Sequence, residues 1–470
     1  MSYPIEEIFR RAKLGSASLR PLEDEFTLGI DVHELMESFL DDILLLPPLF
    51  TPQKLEKGIE LLREPLYIDV NTEVEVGGFK LRIPVIYAPT GGEIADLSGP
   101  RIAEACAEVG IAYSLGEDIA SKRGYDVRST DQLSFKERAL SYLENLRDEY
   151  GGLIIQQGVE DEDLKLWERI YSDPDFDPYI EEGLLAFEIK ADQGEIPDLR
   201  SYLSRKDPSN SNKFMDDLKR APRGRYSATR TFTEDILVSR IRLLRNNFPR
   251  VKVFLRTGPY RDLDRVIEIA SREGVDAITI GEGAGMSSIT STRITTVVCL
   301  ASISRARERG IETSMIIAGA LYDGSHILKS IALGADAVSL GGPITYACLS
   351  GSKFSGFLRR KSLRETLRGL SGNLLKVAIK GEGCKRGVMN YLESVEVEIK
   401  ILASALGKYN VNKICKEDVC SLSKELADLF GIRYIYAPRT VPENWEIIQC
   451  DRLREAEYEL EPPSSRNRRA

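Results

Sequence analysis

The chain has 470 residues, 64 Lys and Arg against 73 Asp and Glu, a net charge of −9 and a 42% hydrophobic fraction. That balance is globular, which excludes wholesale disorder, and its acidity argues against nucleic-acid binding. Two histidines and seven cysteines, none in a C-x-x-C pair, exclude a His-rich metal site and leave mostly structural, reduced thiols as the expectation.

The start, MSYPIEEIFRRAK, has no apolar signal core, and no apolar run approaches the roughly 18 residues of a membrane span. A cytoplasmic enzyme without membrane contact is therefore expected. Residues 1–83 read as an N-terminal extension. It holds a helical piece (ELMESFLDDILLL), a turn signal (LPPLFTP) and a hairpin, DVNTEVEVGGFKLRIP, turning at Gly77-Gly78.

From Pro84 a unit repeats: a short β-branched apolar run, a Gly-containing loop, then an amphipathic segment. The runs are PVIYAP, IAYSLGE, GLIIQQG, LLAFEIKAD, VKVFLRTG, DAITIGEG, TSMIIAGA and DAVSLGG. Segments such as RIAEACAEVG, LDRVIEIASREG and HILKSIALG carry helical apolar spacing and stop at Gly110, Gly274 and Gly334, as TTVVCLASISRARERG does at Gly310. Eight strand–helix units over 84–360 predict an α/β fold, a (β/α)₈ TIM barrel of the usual size. The rival, an open doubly wound sheet, lacks its G-x-G-x-x-G fingerprint after the first strand. A polar stretch, 193–232, leaves the fourth strand and reads as a lid over the barrel mouth. Residues 361–470 form a C-terminal helical extension, with helices expected over Leu363–Leu406 and Lys416–Phe430 and a disordered, solvated tail, EPPSSRNRRA.

Barrel chemistry sits at the C-terminal strand ends. Strands seven and eight end in AGALYDGSH and SLGGP. There Gly319, Gly324, Gly341 and Gly342 let backbone N–H groups approach a phosphate, with Ser325 as the cap of the following helix. Gln156 and Gln157 end strand three, Lys190 and then Gln193 strand four, and Arg256 strand five. Each alone is as readily a solvated rim residue. With a phosphate site they suit a ring with amide-like edges and a cation for its reduced, negatively charged form, which points to FMN.

Ordered along the chain, the motifs FEIKADQGEIPD, VDAITIGEGAGMSS, AGALYDGSHILKSIALGADAV and the closing GVMNYLESVEVEIKILASALGKYNVNKICKEDV resemble the FMN-dependent (β/α)₈ oxidoreductases, above all the FMN-binding domain of glutamate synthase and its archaeal relatives. The likeness runs from about Pro84 to Gly431. It implies Ala88, Pro89 and Thr90 near the flavin ring, Gln156, Lys190 and Arg256 at its polar edge, and Gly319, Gly324, Gly341 and Gly342 around its phosphate. Lys190, Gln193 and Glu282 are the catalytic candidates. The implied reaction is flavin-mediated reduction of 2-oxoglutarate plus ammonia, as the imine, to glutamate.

The departures are specific. Where glutamate synthases bind a [3Fe–4S] cluster with three cysteines, ITYACLSGSKFSG has only Cys348, so no such cluster is expected. The Arg of G-G-I-R is Tyr322, the G-G-T-G motif is altered at Ala284, and Glu195 replaces the lysine-bearing loop. No N-terminal Cys is present for glutamine hydrolysis, so an electron-donor or ammonia-supplying partner, or reduced nicotinamide, is implied; a homo-oligomer is compatible with the sequence. Three rivals stand beside this reading. PTGGE resembles the A-M-T-G-G of type 2 isopentenyl diphosphate isomerase, another FMN barrel. A 2-hydroxyacid oxidase would need a catalytic His in H-G-x-R-Q, which is absent; His326 reads as a helix-cap or solvent residue. A degenerate barrel would serve as a scaffold or regulatory subunit.

Overall fold

The computed structural model describes residues 4–19, 39–48, 64–89, 93–117, 119–128, 133–157, 164–191, 233–281, 292–350 and 382–436. The chain opens with helix α1 (Ile5–Leu14), then a 3₁₀ turn (Phe39–Asp42) and strand β1 (Ile43–Leu45). Strands β2 (Val74–Val76) and β3 (Phe79–Leu81) pair antiparallel as the expected hairpin. Its two turn residues, Gly77 and Gly78, take φ of 55° and 80°, the positive pair a type I′ turn requires.

Eight parallel strands follow: β4 (Val85–Tyr87), β5 (Ala112–Leu115), β6 (Leu153–Gln156), β7 (Leu185–Lys190), β8 (Lys252–Thr257), β9 (Ala277–Gly281), β10 (Ser314–Ala318) and β11 (Ala337–Leu340). They close on themselves where Val338 pairs with Val85 and Leu340 with Tyr87. The (β/α)₈ barrel is thus present, each strand lying inside the apolar run that announced it. Nearly continuous burial along these strands reflects a filled interior on one side and helices on the other.

Of the surrounding helices, α2 (Glu93–Val109), α3 (Ile119–Arg123) and α4 (Phe135–Leu143) precede α5 (Leu166–Tyr171) and α6 (Asp177–Glu181). Then come α7 (Glu234–Asn247), α8 (Leu263–Arg272), α9 (Thr292–Glu308), α10 (Gly324–Ala332) and α11 (Gly342–Ser350). Gly110, Gly274, Gly310 and Gly334 all sit at positive φ just past helices, as their positions implied. Beyond the barrel lie α12 (Glu382–Ala405), strand β12 (Val419–Ser421), α13 (Lys424–Phe430) and strand β13 (Arg433–Tyr434).

The hairpin plugs the N-terminal end of the barrel. The Phe79 ring lies 5.4 Å from that of Phe254 on β8, and Gly77 N donates to Ser314 Oγ at the start of β10, 2.9 Å away. A Cβ at Gly77 would stand 2.6 Å from the Phe254 ring, in a backbone conformation that L-residues avoid. Gly77→Ala should therefore destabilise the fold by about 1–3 kcal/mol, read as a fall in the thermal midpoint; an unchanged midpoint would show that the plug is not seated against Phe254.

Two expectations at the ends need correction. The run ELMESFLDDILLL does not end as a helix, since Ile43–Leu45 pairs antiparallel with Val419–Ser421. For the same reason Lys416–Phe430 is not one helix: a 3₁₀ turn and β12 precede α13, and α13 starts only where Ser423 Oγ accepts from Leu426 N. Within 363–406, α12 confirms the helix from Glu382; residues 363–381, the 193–232 insertion and the tail lie outside the described residues. Among the described residues no helix is long and apolar enough to cross a membrane.

Candidate active site

Alternate residues of a strand face opposite sides, and β7 shows which side is which. Phe187 faces the helices, stacked on Trp167 at 5.4 Å and edge-on to Phe248 at 5.2 Å. Its neighbours in the alternation, Glu188 and Lys190, accordingly face the barrel interior. Glu188 is 2% exposed. Its Oε2 accepts from Nε2 of Gln156 on β6, and its Oε1 from Thr279 Oγ1 on β9, 2.9 Å away.

One layer higher, Lys190 Nζ donates to Glu117 Oε1 at 2.5 Å, just past the end of β5. Arg256, also buried, stands in register with Lys190 across β7 and β8. The predicted Gln156, Lys190 and Arg256 are thus brought together. Lys190 and Arg256 form the upper part of a polar interior whose floor is the Gln156–Glu188–Thr279 chain. Ala88 and Pro89 follow β4 at the same face, with Ala88 N continuing the ladder to Leu340 O at 3.0 Å. Thr90, Gln193 and Glu282 lie outside the described residues.

The glycine loops divide. Gly341 directly follows β11, and Gly342 opens α11, so the positive end of that helix dipole stands at the mouth. Gly319 follows β10 where any side chain would collide with Thr296. Gly324 is a correction. Its N–H, expected on a phosphate, donates instead to Glu398 Oε2 of α12 at 2.8 Å. Ser325 is not the cap of α10 either: Asp323, extended at φ −137°, accepts from His326 N in that role. Nor is His326 a solvent or capping residue. It is 1% exposed, with Nε2 3.1 Å from Asp41 Oδ1 and its ring edge-on to Tyr322.

Two further oxygens lie at the strand ends. Gln157 Oε1 and Thr257 Oγ1 are buried without a hydrogen-bond partner among the described residues. Buried polar atoms seldom stay unsatisfied, but each of these follows an inward-facing residue, Gln156 or Arg256, so the alternation turns both away from the interior. Cations, an amide and a glycine-opened helix N-terminus together fit a phosphate-bearing ring such as FMN.

Residues 265–354 match the FMN-dependent dehydrogenase family. The matched stretch runs from α8 through β9, β10 and β11 to just past α11, and so contains Gly319, Gly341 and Gly342. FMN is the cofactor, and the chain is an FMN-dependent oxidoreductase barrel. No curated protein matches it. Among solved structures, a flavocytochrome b2 double mutant with pyruvate bound shares 14% identity at a TM-score of 0.53, over 95% of this chain and 87% of that one. A flavocytochrome b2 mutant with benzoylformate shares 13% at 0.53, over 95% and 97%. An Arg-to-Lys mutant of flavocytochrome b2 shares 14% at 0.51, over 94% and 87%. At these identities the likeness is one of fold.

Sequence reasoning did not single out Glu117, Glu188 or Thr279 in the FMN barrel. Glu188 had a signal: it is the acidic residue of an otherwise apolar strand, two positions before Lys190, hence on the same face. Glu117 and Thr279 had none, because their roles depend on which strands meet. Cys348, the cysteine left where a cluster would be, is buried in α11. Its thiol is hydrogen-bonded with that of Cys384 on α12, which pushes the Cys348 thiol up. Among the described residues no His, Cys, Asp or Glu grouping suits a metal ion.

Proposed function

We propose that this FMN-dependent oxidoreductase reduces the imine of a 2-oxo acid to an amino acid, in the manner of glutamate synthase, with 2-oxoglutarate plus ammonia as the reference substrate. The observation that carries this reading is the Lys190 ammonium, held by Glu117 at the barrel mouth beside Arg256. FMN, when bound, supplies hydride transfer to or from carbon. Gln156, Lys190 and Arg256 would hold its ring, and Gly319, Gly341 and Gly342 its phosphate.

The chain's own residues supply the rest. Arg256, buried and cationic, favours a carboxylate in the mouth. Lys190 can give a proton to a nitrogen that gains negative charge as the adjacent carbon is reduced, and the Glu117 carboxylate keeps the Lys190 side chain aimed. The opposite chemistry, removal of a proton from a hydroxy acid, would call on a histidine. Of the chain's two, His33 lies outside the described residues and His326 is buried against Asp41 rather than at the strand ends. Pyruvate and benzoylformate, bound in the flavocytochrome b2 structures, are 2-oxo acids, the substrate class invoked here. Ammonia would come from a partner protein, and electrons from a partner protein or from reduced nicotinamide.

The test is anaerobic. Holoprotein with reduced flavin, mixed with 2-oxoglutarate and ammonia, should reoxidise and yield glutamate. Bleaching of the oxidised holoprotein by lactate or mandelate, with no response to the oxo acid and ammonia, would overturn the reading in favour of hydroxy-acid oxidation.

A further inference from the structure

The Gln156–Glu188–Thr279 chain has a polarity fixed by chemistry. An ionised carboxylate only accepts hydrogen bonds. Thr279 Oγ1 donates to one oxygen, and the amide nitrogen of Gln156 to the other. One of the two Gln156 N–H groups is committed downward to Glu188, which fixes the amide plane and leaves the carbonyl oxygen and the second N–H for other partners. Gln156 is 3% exposed and ends its strand, whereas Glu188 lies two residues short of the end of β7. The carboxylate thus lies one layer inside the strand ends that carry Lys190 and Arg256. Neither of its hydrogen-bond donors is charged, and burial at 2% exposure keeps water from screening it.

We propose that Glu188 is a positioning residue with two effects: it fixes the orientation of the Gln156 amide toward the cofactor, and it sets a negative charge in the barrel interior that lowers the flavin midpoint potential. This rests on the reading of the site as an FMN site and goes beyond it in assigning a redox-tuning role. The oxidised ring is neutral and accepts Gln156 at little electrostatic cost. The reduced ring gains electron density, which a nearby buried carboxylate opposes. Arg256 and Lys190 act in the other direction, and Glu117 partly neutralises Lys190. A low potential suits a protein that passes electrons to an imine and accepts them from a strong reductant.

The test uses the FMN holoprotein and two substitutions. Glu188→Gln keeps size and shape but removes the charge. It should favour reduced over oxidised FMN by about tenfold, an upward shift of about 30 mV for a two-electron couple. Glu188→Asp keeps the charge but cannot reach Gln156 from the same backbone position. It should weaken FMN binding about threefold to tenfold by releasing the amide, with the ratio of reduced to oxidised binding held within twofold. If Glu188→Gln does not fold, the Glu188→Asp affinity still decides the positioning effect. A yellow holoprotein whose potential is unmoved by Glu188→Gln, or whose FMN affinity is unmoved by Glu188→Asp, overturns the proposal while leaving the FMN site intact. A native protein that stays colourless after incubation with FMN removes both.

Discussion

Arg256→Ala is expected to lower FMN affinity roughly 10- to 100-fold, the span given by a loss of about 1.5–3 kcal/mol when a charge-assisted hydrogen bond is removed. The guanidinium is 8% exposed and stands in register with Lys190 at the interior face of the mouth. A buried cation there has little water to replace a ligand's negative charge, so its removal is not compensated from solvent. Arg256→Lys should recover part of the affinity, since it restores charge without the planar fork. Titration of the apoprotein with FMN, followed by flavin fluorescence, measures both. Equal affinity in Arg256→Ala and the native protein would remove Arg256 from the site. Equal loss in Arg256→Ala and Arg256→Lys would assign the effect to bidentate geometry rather than charge.

The second large effect lies away from the mouth. Arg11→Leu should destabilise the protein by about 3 kcal/mol, the cost of leaving one member of a buried ion pair alone. Arg11 Nη1 donates to Glu398 Oε2 at 2.5 Å, its Nε donates to Glu7 at 2.8 Å, and its side chain is 7% exposed. Burial pulls the Arg11 pKa down, but the carboxylates of Glu398, Asp323 and Glu7 together more than offset that and hold it above the ordinary arginine value. The same Glu398 oxygen accepts from Gly324 N, so the substitution strips one of two donors from a carboxylate that also caps α10. Pairing Arg11→Leu with Glu398→Leu should cost less than Arg11→Leu alone, because no stranded charge remains. The denaturant midpoints of the two single variants and the double variant check this; an additive double variant would show that the pair is not coupled.

The barrel was legible in the sequence because its information is local. Each strand is a short β-branched run and each helix an amphipathic stretch closed by glycine, and Gly110, Gly274, Gly310 and Gly334 do what their positions implied. Strand β12 was not legible. Val419–Ser421 is only three residues long, and its partner, Ile43–Leu45, lies at the other end of the chain. The helix-like apolar spacing of Lys416–Phe430 therefore won by default. At the site, residue type and strand-end position found Gln156, Lys190 and Arg256. They did not find Glu188, whose role appears only when β6, β7 and β9 meet around one interior. Gly324 misled for a related reason: a glycine after a strand has a free N–H on paper, and only the fold puts Glu398 in front of it. Asp323 rather than Ser325 caps α10 because the chain is still extended at 323, a boundary finer than periodicity resolves.

The position of Glu398 also bears on how the protein is made. A ribosome releases the barrel strands before α12. Until residue 398 emerges, the amide of Gly324 and the guanidinium of Arg11 lack the carboxylate that joins them. Premature termination between β11 and α12 would therefore yield eight complete strands with α1 and α10 untied from each other. Such a product should be recognised by proteases as unfinished, even though every strand of the sheet has been synthesised.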